Sequence, residues 1–120
     1  MSWDTEFYAA VMANGDFSSG VTALALEFKP DGATPFATYQ LINANGTQDT
    51  TGHGFEGERL VQLTVWADSP TDAMRLCEYG SLGAQTLNVV RIYERSLGRD
   101  SDSDVFGYAI DFTIWFDSPR

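Results

Sequence analysis

The chain has 120 residues, the length of one ordinary domain, and its 43% hydrophobic content suits one packed core rather than disorder. Seventeen acidic residues against seven basic ones give a net charge of −10, which disfavours a nucleic-acid or anionic-lipid surface and keeps a self-associating protein soluble. No apolar run approaches the roughly 20 residues of a membrane span. The first residues lack signal-peptide features, so we expect synthesis in the cytoplasm.

The first predicted element is a short helix over residues 4–13. Trp3, Phe7 and Val11 recur every four residues and form one apolar stripe along it. The pair Asn14-Gly15 then predicts a left-handed stop to this helix.

Two strands are predicted next, over residues 21–28 and 36–43, with a turn at Pro30-Asp31-Gly32 between them. A polar stretch with four glycines follows, from Asn43 to Gly57. Structureless loops of about 15 residues in a compact domain are usually functional or disordered. We therefore expect this stretch to be mobile in the isolated subunit and ordered by a partner.

The clearest strand runs from Glu58 to Ala67 and is predicted to be central. A second helix begins after Ser69, which can cap it, with Pro70 at the first helical position. Its small residues fall close to one face, which lets the helix lie near a sheet. They are Ala73, Cys77, Gly80 and Ala84.

Two final strands are predicted over about 87–95 and 105–116, joined by a polar, aspartate-rich connection. The order α-β-β-β-α-β-β indicates a single α+β domain with a mainly antiparallel sheet and two helices.

The two strongest strands alternate between an apolar face and a half-polar face. The predicted core positions of the first are Val61, Leu63 and Val65. The half-polar positions are Gln62, Thr64 and Trp66 on one strand and Asp111, Thr113 and Trp115 on the other. Large aromatics among small polar groups are typical of a partly covered interface. A helix or loop of the same chain covering this face is the other interpretation, and the pattern does not decide between them.

No catalytic, cofactor-binding or metal-binding set is predicted. His53 lies between glycines without a partner nearby in sequence, and Cys77, the single cysteine, is predicted to be a small buried hydrophobe. Asp100, Asp102 and Asp104 resemble the start of a calcium loop, but Val105 follows where that loop needs glycine. We expect a solvated acidic segment over residues 96–104, with Arg95 and Arg99 offsetting part of the repulsion. Adventitious cation binding is the minor alternative.

One segment carries a family resemblance: residues 54–76, which read GFEGERLVQLTVWADSPTDAMRL. It resembles a block of the small tail-completion proteins of long-tailed bacteriophages and prophages, with Glu-Arg, Gln and Trp-Ala followed by a capped helix. Members of that family also carry an early strand similar to Pro35-Phe36-Ala37-Thr38-Tyr39-Gln40. The likeness covers most of the chain in order and length.

The resemblance implies a non-enzymatic tail terminator at the head-proximal end of a virion tail. Such subunits form a homo-oligomeric ring, commonly a hexamer, that caps the tail-tube protein, ends its polymerisation and docks to the head-tail connector protein. DNA passes through the lumen without specific binding. Neither a cofactor nor a membrane is implied.

Three further classes compete with this interpretation: a head-side connector or stopper ring of the same virion, a small ligand- or host-protein-binding module and, last, an enzyme. Genomic position beside a tail-tube gene would separate terminator from stopper. The candidate interface residues are Arg59, Gln62, Thr64, Trp66, Asp111, Thr113 and Trp115. Arg59 is predicted to form a charge-assisted contact with a carboxylate, either within the subunit or across subunits. The alternative is an exposed charge at the end of the strand.

Overall fold

The computed structural model describes residues 3–26, 34–45, 57–101 and 104–116. In chain order these form the elements α1 (Trp3–Met12), α2 (Gly15–Gly20), β1 (Leu24–Leu26), β2 (Phe36–Asn45), β3 (Gly57–Ala67), α3 (Pro70–Ala84), β4 (Val89–Asp100) and β5 (Val105–Phe116). The α+β class predicted from the sequence is confirmed, with one helix more than expected among these residues. None of the helices in the described ranges is long and apolar enough to cross a membrane.

The five strands form one sheet in the order β1-β2-β3-β5-β4. Neighbours are antiparallel except for β1 and β2, which run parallel. β3 lies in the middle, and Val61, Leu63 and Val65 are completely buried. Both the central position of this strand and its predicted core face are therefore confirmed.

The core lies between this sheet and the helices. Phe7 and Val11 of α1, Phe17 of α2 and Cys77 of α3 join the apolar side chains of β3 and β5 in one buried cluster. The small residues of α3 have the predicted effect, because a Cβ at Gly80 would lie 2.7 Å from Leu63. The helix therefore lies against the sheet at a distance that a larger side chain would not allow.

The helix α3 begins as predicted. Ser69 Oγ accepts a hydrogen bond from the backbone N–H of Asp72 at 3.2 Å, and Pro70 occupies the first helical position, where no backbone N–H is needed. Its face of small residues is buried along its length.

The predicted left-handed stop at Asn14-Gly15 is wrong. Asn14 has an extended backbone (φ −77°, ψ 114°), and its side chain accepts a hydrogen bond from Phe17 N–H at 3.0 Å. Asn14 is thus the N-cap of a second short helix, which Gly15 begins. This extra turn of helix buries Phe17 against the core.

Several predicted boundaries need correction. The strand expected over 21–28 is only β1, and residues 27–28 lie outside the described ranges. The polar stretch expected to be a loop contributes residues 43–45 to β2 and Gly57 to β3, where backbone pairing continues. Residues 46–56 lie outside the described ranges, so the mobility prediction stays a prediction.

The connection expected over residues 96–104 is mostly strand. β4 continues to Asp100, which pairs with Val105, after a bulge between Ser96 and Gly98. Gly98 has φ +76°, a left-handed conformation that suits glycine and lets the strand resume after the bulge. The acidic segment is therefore the tip of a long hairpin.

Candidate assembly surface

Six of the predicted interface residues lie on the sheet face opposite the helices, which we call the open face. β3 and β5 are paired so that Gln62 lies beside Asp111, and the alternate residues of both strands belong to the buried core. The six are Gln62, Thr64, Trp66, Asp111, Thr113 and Trp115. The structure therefore brings them onto one face, while their role in an interface stays a prediction.

A row of hydrogen bonds crosses four strands of the open face. Gln40 Nε2 on β2 donates to Gln62 Oε1 at 3.1 Å, and Gln62 Nε2 donates to Asp111 Oδ1 at 3.0 Å. Arg95 Nη1 on β4 donates to Asp111 Oδ2 at 2.7 Å, which is also an ion pair. This polar ladder satisfies side chains that would be costly to bury alone.

The two tryptophans of the open face have different surroundings. Trp66 lies against Gly107, where an added Cβ would come within 2.6 Å of the indole ring. Trp115 pairs with Glu58 at the opposite end of the β3–β5 pair, and its side chain is exposed. Trp115 is therefore the tryptophan of this face that is classed among the exposed large hydrophobic residues.

Arg59 does not belong to the open face. It pairs with Ile114 on the helix-covered side, is only 6% exposed, and its guanidinium carbon lies 5.5 Å from the centre of the Phe116 ring. The pKa of Arg59 is lowered, because the effect of burial outweighs the opposite effect of the negative charge of Glu6 on α1. The alternative of an exposed strand-end charge is therefore wrong, and a carboxylate contact across subunits stays a prediction.

The edge strand β4 is the largest exposed element that the sequence analysis did not single out. Nearly all of its residues are exposed on both faces, including Val90 at 61% and Tyr93 at 60%. It also carries Arg91, Arg95 and Arg99, three of the seven basic residues of the chain. Long exposed edges with apolar side chains tend to pair with other chains. The missing alternation over this strand was the available signal.

Two clefts lie between β4 and the exposed side of α3. One, of about 370 Å³, has Leu82 and Gln85 on the helix side and Glu94 on the strand side. The other, of about 320 Å³, is lined by Val90, Arg91 and Ile92 together with Gln85. We call this region, defined by Leu82, Gln85, Val90, Arg91, Ile92 and Glu94, the α3–β4 groove.

The residues considered for chemistry are placed as follows. Cys77 is fully buried, burial raises the pKa of its thiol, and Sγ donates to the backbone oxygen of Leu63 at 3.6 Å. Asp104 Oδ1 accepts from Arg99 Nε at 2.6 Å. His53 and Asp102 lie outside the described ranges, and within those ranges no three metal-ligating side chains cluster.

No family model and no curated protein matches the chain. Among solved structures, the fold is similar to that of a chain in the virion of a native gene transfer agent particle, with a TM-score of 0.52 and 13% sequence identity. The likeness covers 96% of this chain and 96% of that one. At this identity it shows a shared fold, and it extends over nearly the whole of both chains.

Proposed function

We propose that this protein is a non-enzymatic structural subunit of a phage-like virion, and specifically a tail terminator. In this role, copies form a ring at the head-proximal end of the tail tube, end its polymerisation and dock to the head connector. The observation that carries the proposal is the fold shared over 96% of both chains with a component of a gene transfer agent virion. The resemblance of residues 54–76 to tail-completion proteins favours a tail terminator among the structural subunits of a virion.

The exposed surfaces support an assembly role. A closed ring needs two different patches on each subunit, one that binds and one that is bound. The chain presents the open face, where Trp115 and Tyr93 are exposed, and the helix side of the edge strand β4, where Ile92 is exposed. Exposed aromatics of this kind are common at protein interfaces.

The charge supports passage of DNA through the ring without binding. A net charge of −10 repels phosphates. Two of the arginines on β4 are already paired with carboxylates, Arg95 with Asp111 and Arg99 with Asp104. Nucleic acid would have to displace those partners.

The test is termination of tube growth. The tail-tube protein of the same virion is polymerised with increasing amounts of this chain, and tube lengths are measured by electron microscopy. We expect shorter tubes with a ring at one end; an unrelated acidic protein of similar size serves as control. Unchanged tube lengths with no end-bound density would refute the terminator role, and binding to the head connector alone would favour a head-side stopper.

A further inference from the structure

The two sides of the edge strand β4 carry different chemistry. Arg91 and Tyr93 pair with open-face residues of β5 and therefore lie on the open face. Ile92 and Glu94 pair with core residues of β5 and therefore face the helix side. All four side chains are exposed. The same edge of the sheet thus presents a basic, aromatic side and an acidic, apolar side.

On the helix side, β4 and α3 line the cleft of about 370 Å³. Glu78 of α3 and Glu94 of β4 place two carboxylates in its walls, and Leu82 and Ile110 supply apolar lining. Both glutamates are exposed, and neither forms an ion pair with a basic residue of the described ranges. We call the surface of Glu78, Leu82, Glu94 and Ile110 the acidic cleft.

Both glutamates also act on Tyr108 of β5. Burial raises the pKa of Tyr108 most, and the hydrogen bond that its hydroxyl donates to Glu94 Oε1 at 2.9 Å raises it further. The negative charges of Glu94 and Glu78 add to this rise. The two carboxylates therefore concentrate negative charge at one place, and a basic group with an apolar neighbour is the chemistry that suits the cleft.

On the open face, Arg91 is a basic group that a partner's carboxylates can reach. Arg75, Arg95 and Arg99 each pair with a carboxylate of the same chain, whereas no carboxylate in the described ranges forms an ion pair with Arg91. Tyr93 lies two residues further along the same face and is 60% exposed. Arginine and tyrosine are enriched where proteins bind one another. We call the surface of Arg91 and Tyr93 the β4 patch.

Building on the proposed ring, we propose that the β4 patch of one copy binds the acidic cleft of the next, with Arg91 facing Glu78 and Glu94 and Tyr93 packing on Leu82. Charge selects this pairing. In a chain of net charge −10, most surfaces of a second copy would be repelled by the cleft, whereas the β4 patch offers it a cation. The carboxylates of the cleft also repel the phosphates of nucleic acid.

The positions of the two surfaces suit a ring. They lie on opposite sides of one sheet edge, so the contact is head-to-tail and repeats from copy to copy. α3 lies over β3 and β5, whereas β4 is exposed on both faces and forms a thinner margin of the domain. Copies stacked through a thin margin lean toward it, so the row curves, and a curved row closes into a ring.

Charge reversal tests the contact. Arg91→Glu and Glu78→Arg should each weaken self-association at least about tenfold, measured by sedimentation over a concentration series, because like charges then face each other. The double variant, with both reversals in one chain, should associate more tightly than either single variant, since opposite charges face each other again. Where the wild type forms rings only on tube ends, the fraction of tube ends that carry a ring is compared instead.

The matched control is Arg75→Glu, which changes the net charge as Arg91→Glu does. Arg75 is an exposed arginine of α3 with a local partner, Asp72, and it lies outside the acidic cleft. This variant should associate as the wild type does, and circular dichroism should show all variants folded. An equal loss in Arg75→Glu would assign the effect to net charge and overturn the contact.

The remaining outcomes separate this contact from the proposed function. Single-reversal variants that assemble as well as the wild type would overturn the contact and leave the ring intact. A folded double variant no tighter than the single variants would overturn the pairing of Arg91 with Glu78. A wild type that stays monomeric even with tail-tube protein present would overturn both proposals. Single copies bound to the tube, and lost in Arg91→Glu, would assign the β4 patch to the tube and overturn a second copy as its partner.

Discussion

Gln62 Nε2 donates a hydrogen bond to Asp111 Oδ1 at 3.0 Å, across the paired strands β3 and β5. The same carboxylate accepts from Arg95 at 2.7 Å through its other oxygen. Asp111 thus joins a central strand to the edge strand on a face that the helices do not cover. This arrangement holds the open face in one conformation before any partner binds, which limits the entropy lost on assembly.

Replacing Asp111 should destabilise the isolated domain. Its side chain is 14% exposed, and Asp111→Ala leaves the Gln62 amide and the Arg95 guanidinium without their acceptor. We expect a loss of about 1–3 kcal/mol in the free energy of unfolding, measured in urea. The control Asp72→Ala removes an ion-paired aspartate that is 47% exposed, and it should change stability by less than about 1 kcal/mol. Equal losses in the two variants would contradict a structural role for the ladder.

Truncating a buried side chain of the central strand β3 should lower the free energy of unfolding more than replacing Asp111 does. Leu63 is completely buried in the core beside Phe17 and Gly80. Leu63→Ala is expected to lower the free energy of unfolding by about 2–5 kcal/mol, from lost burial and a residual cavity. Leu82→Ala is the matched control, because Leu82 is 57% exposed. A loss below about 1 kcal/mol for Leu63→Ala would mean that this face is not the core.

The parts of the fold that could be predicted are those with a strong local pattern. Apolar and polar residues alternate along β3 and β5 because one face of each strand is buried. α3 begins at Ser69 and Pro70, which are strong signals for the start of a helix. Asn14-Gly15 was ambiguous, since asparagine serves both as a left-handed stop and as an N-cap. The dipeptide alone does not show that Phe17 becomes buried, and this burial favours the second helix over a left-handed stop.

Only part of the candidate surface could be predicted from the sequence. The alternation on β3 and β5 identified Gln62 and Asp111 as positions of one face. Gln40 and Arg95 complete the ladder, but their placement depends on the register of strands far apart in the chain. β4 lacks alternation because neither of its faces is buried. The missing alternation indicated exposure, but it could not give the length of the strand.

Glycine at position 107 is expected to be required by the ring of Trp66. A Cβ there would come within 2.6 Å of the indole, so Gly107→Ala forces the tryptophan to move. We expect a loss of about 1–3 kcal/mol in stability and a changed tryptophan fluorescence spectrum. Gly15→Ala is the control, since nothing lies within 4 Å of its added Cβ and the residue is helical. An unchanged spectrum for Gly107→Ala would show that Trp66 does not rest on this backbone.

Tyr108 is expected to titrate later than an ordinary tyrosine. Burial, followed by the hydrogen bond that its hydroxyl donates to Glu94 Oε1 at 2.9 Å, raises its pKa to about 12 from 10.0. The folded state thus holds this proton more tightly than the unfolded state does. The resulting stabilisation is fully present below pH 10 and is lost as the pH rises through about 12.

The tyrosinate absorbance of the folded protein should accordingly contain a late component that Tyr108→Phe removes, beside a separate one from Tyr39, whose pKa is also raised by burial. Glu94→Gln keeps a hydrogen-bond acceptor but removes the charge, so this component should move toward lower pH without reaching an ordinary value, since burial remains. Tyr93→Phe is the control, because Tyr93 is exposed on the same hairpin. Late absorbance of unchanged amplitude in Tyr108→Phe would contradict the assignment, because only the Tyr39 component should remain. A late component unaffected by Glu94→Gln would show that the Glu94 charge contributes little.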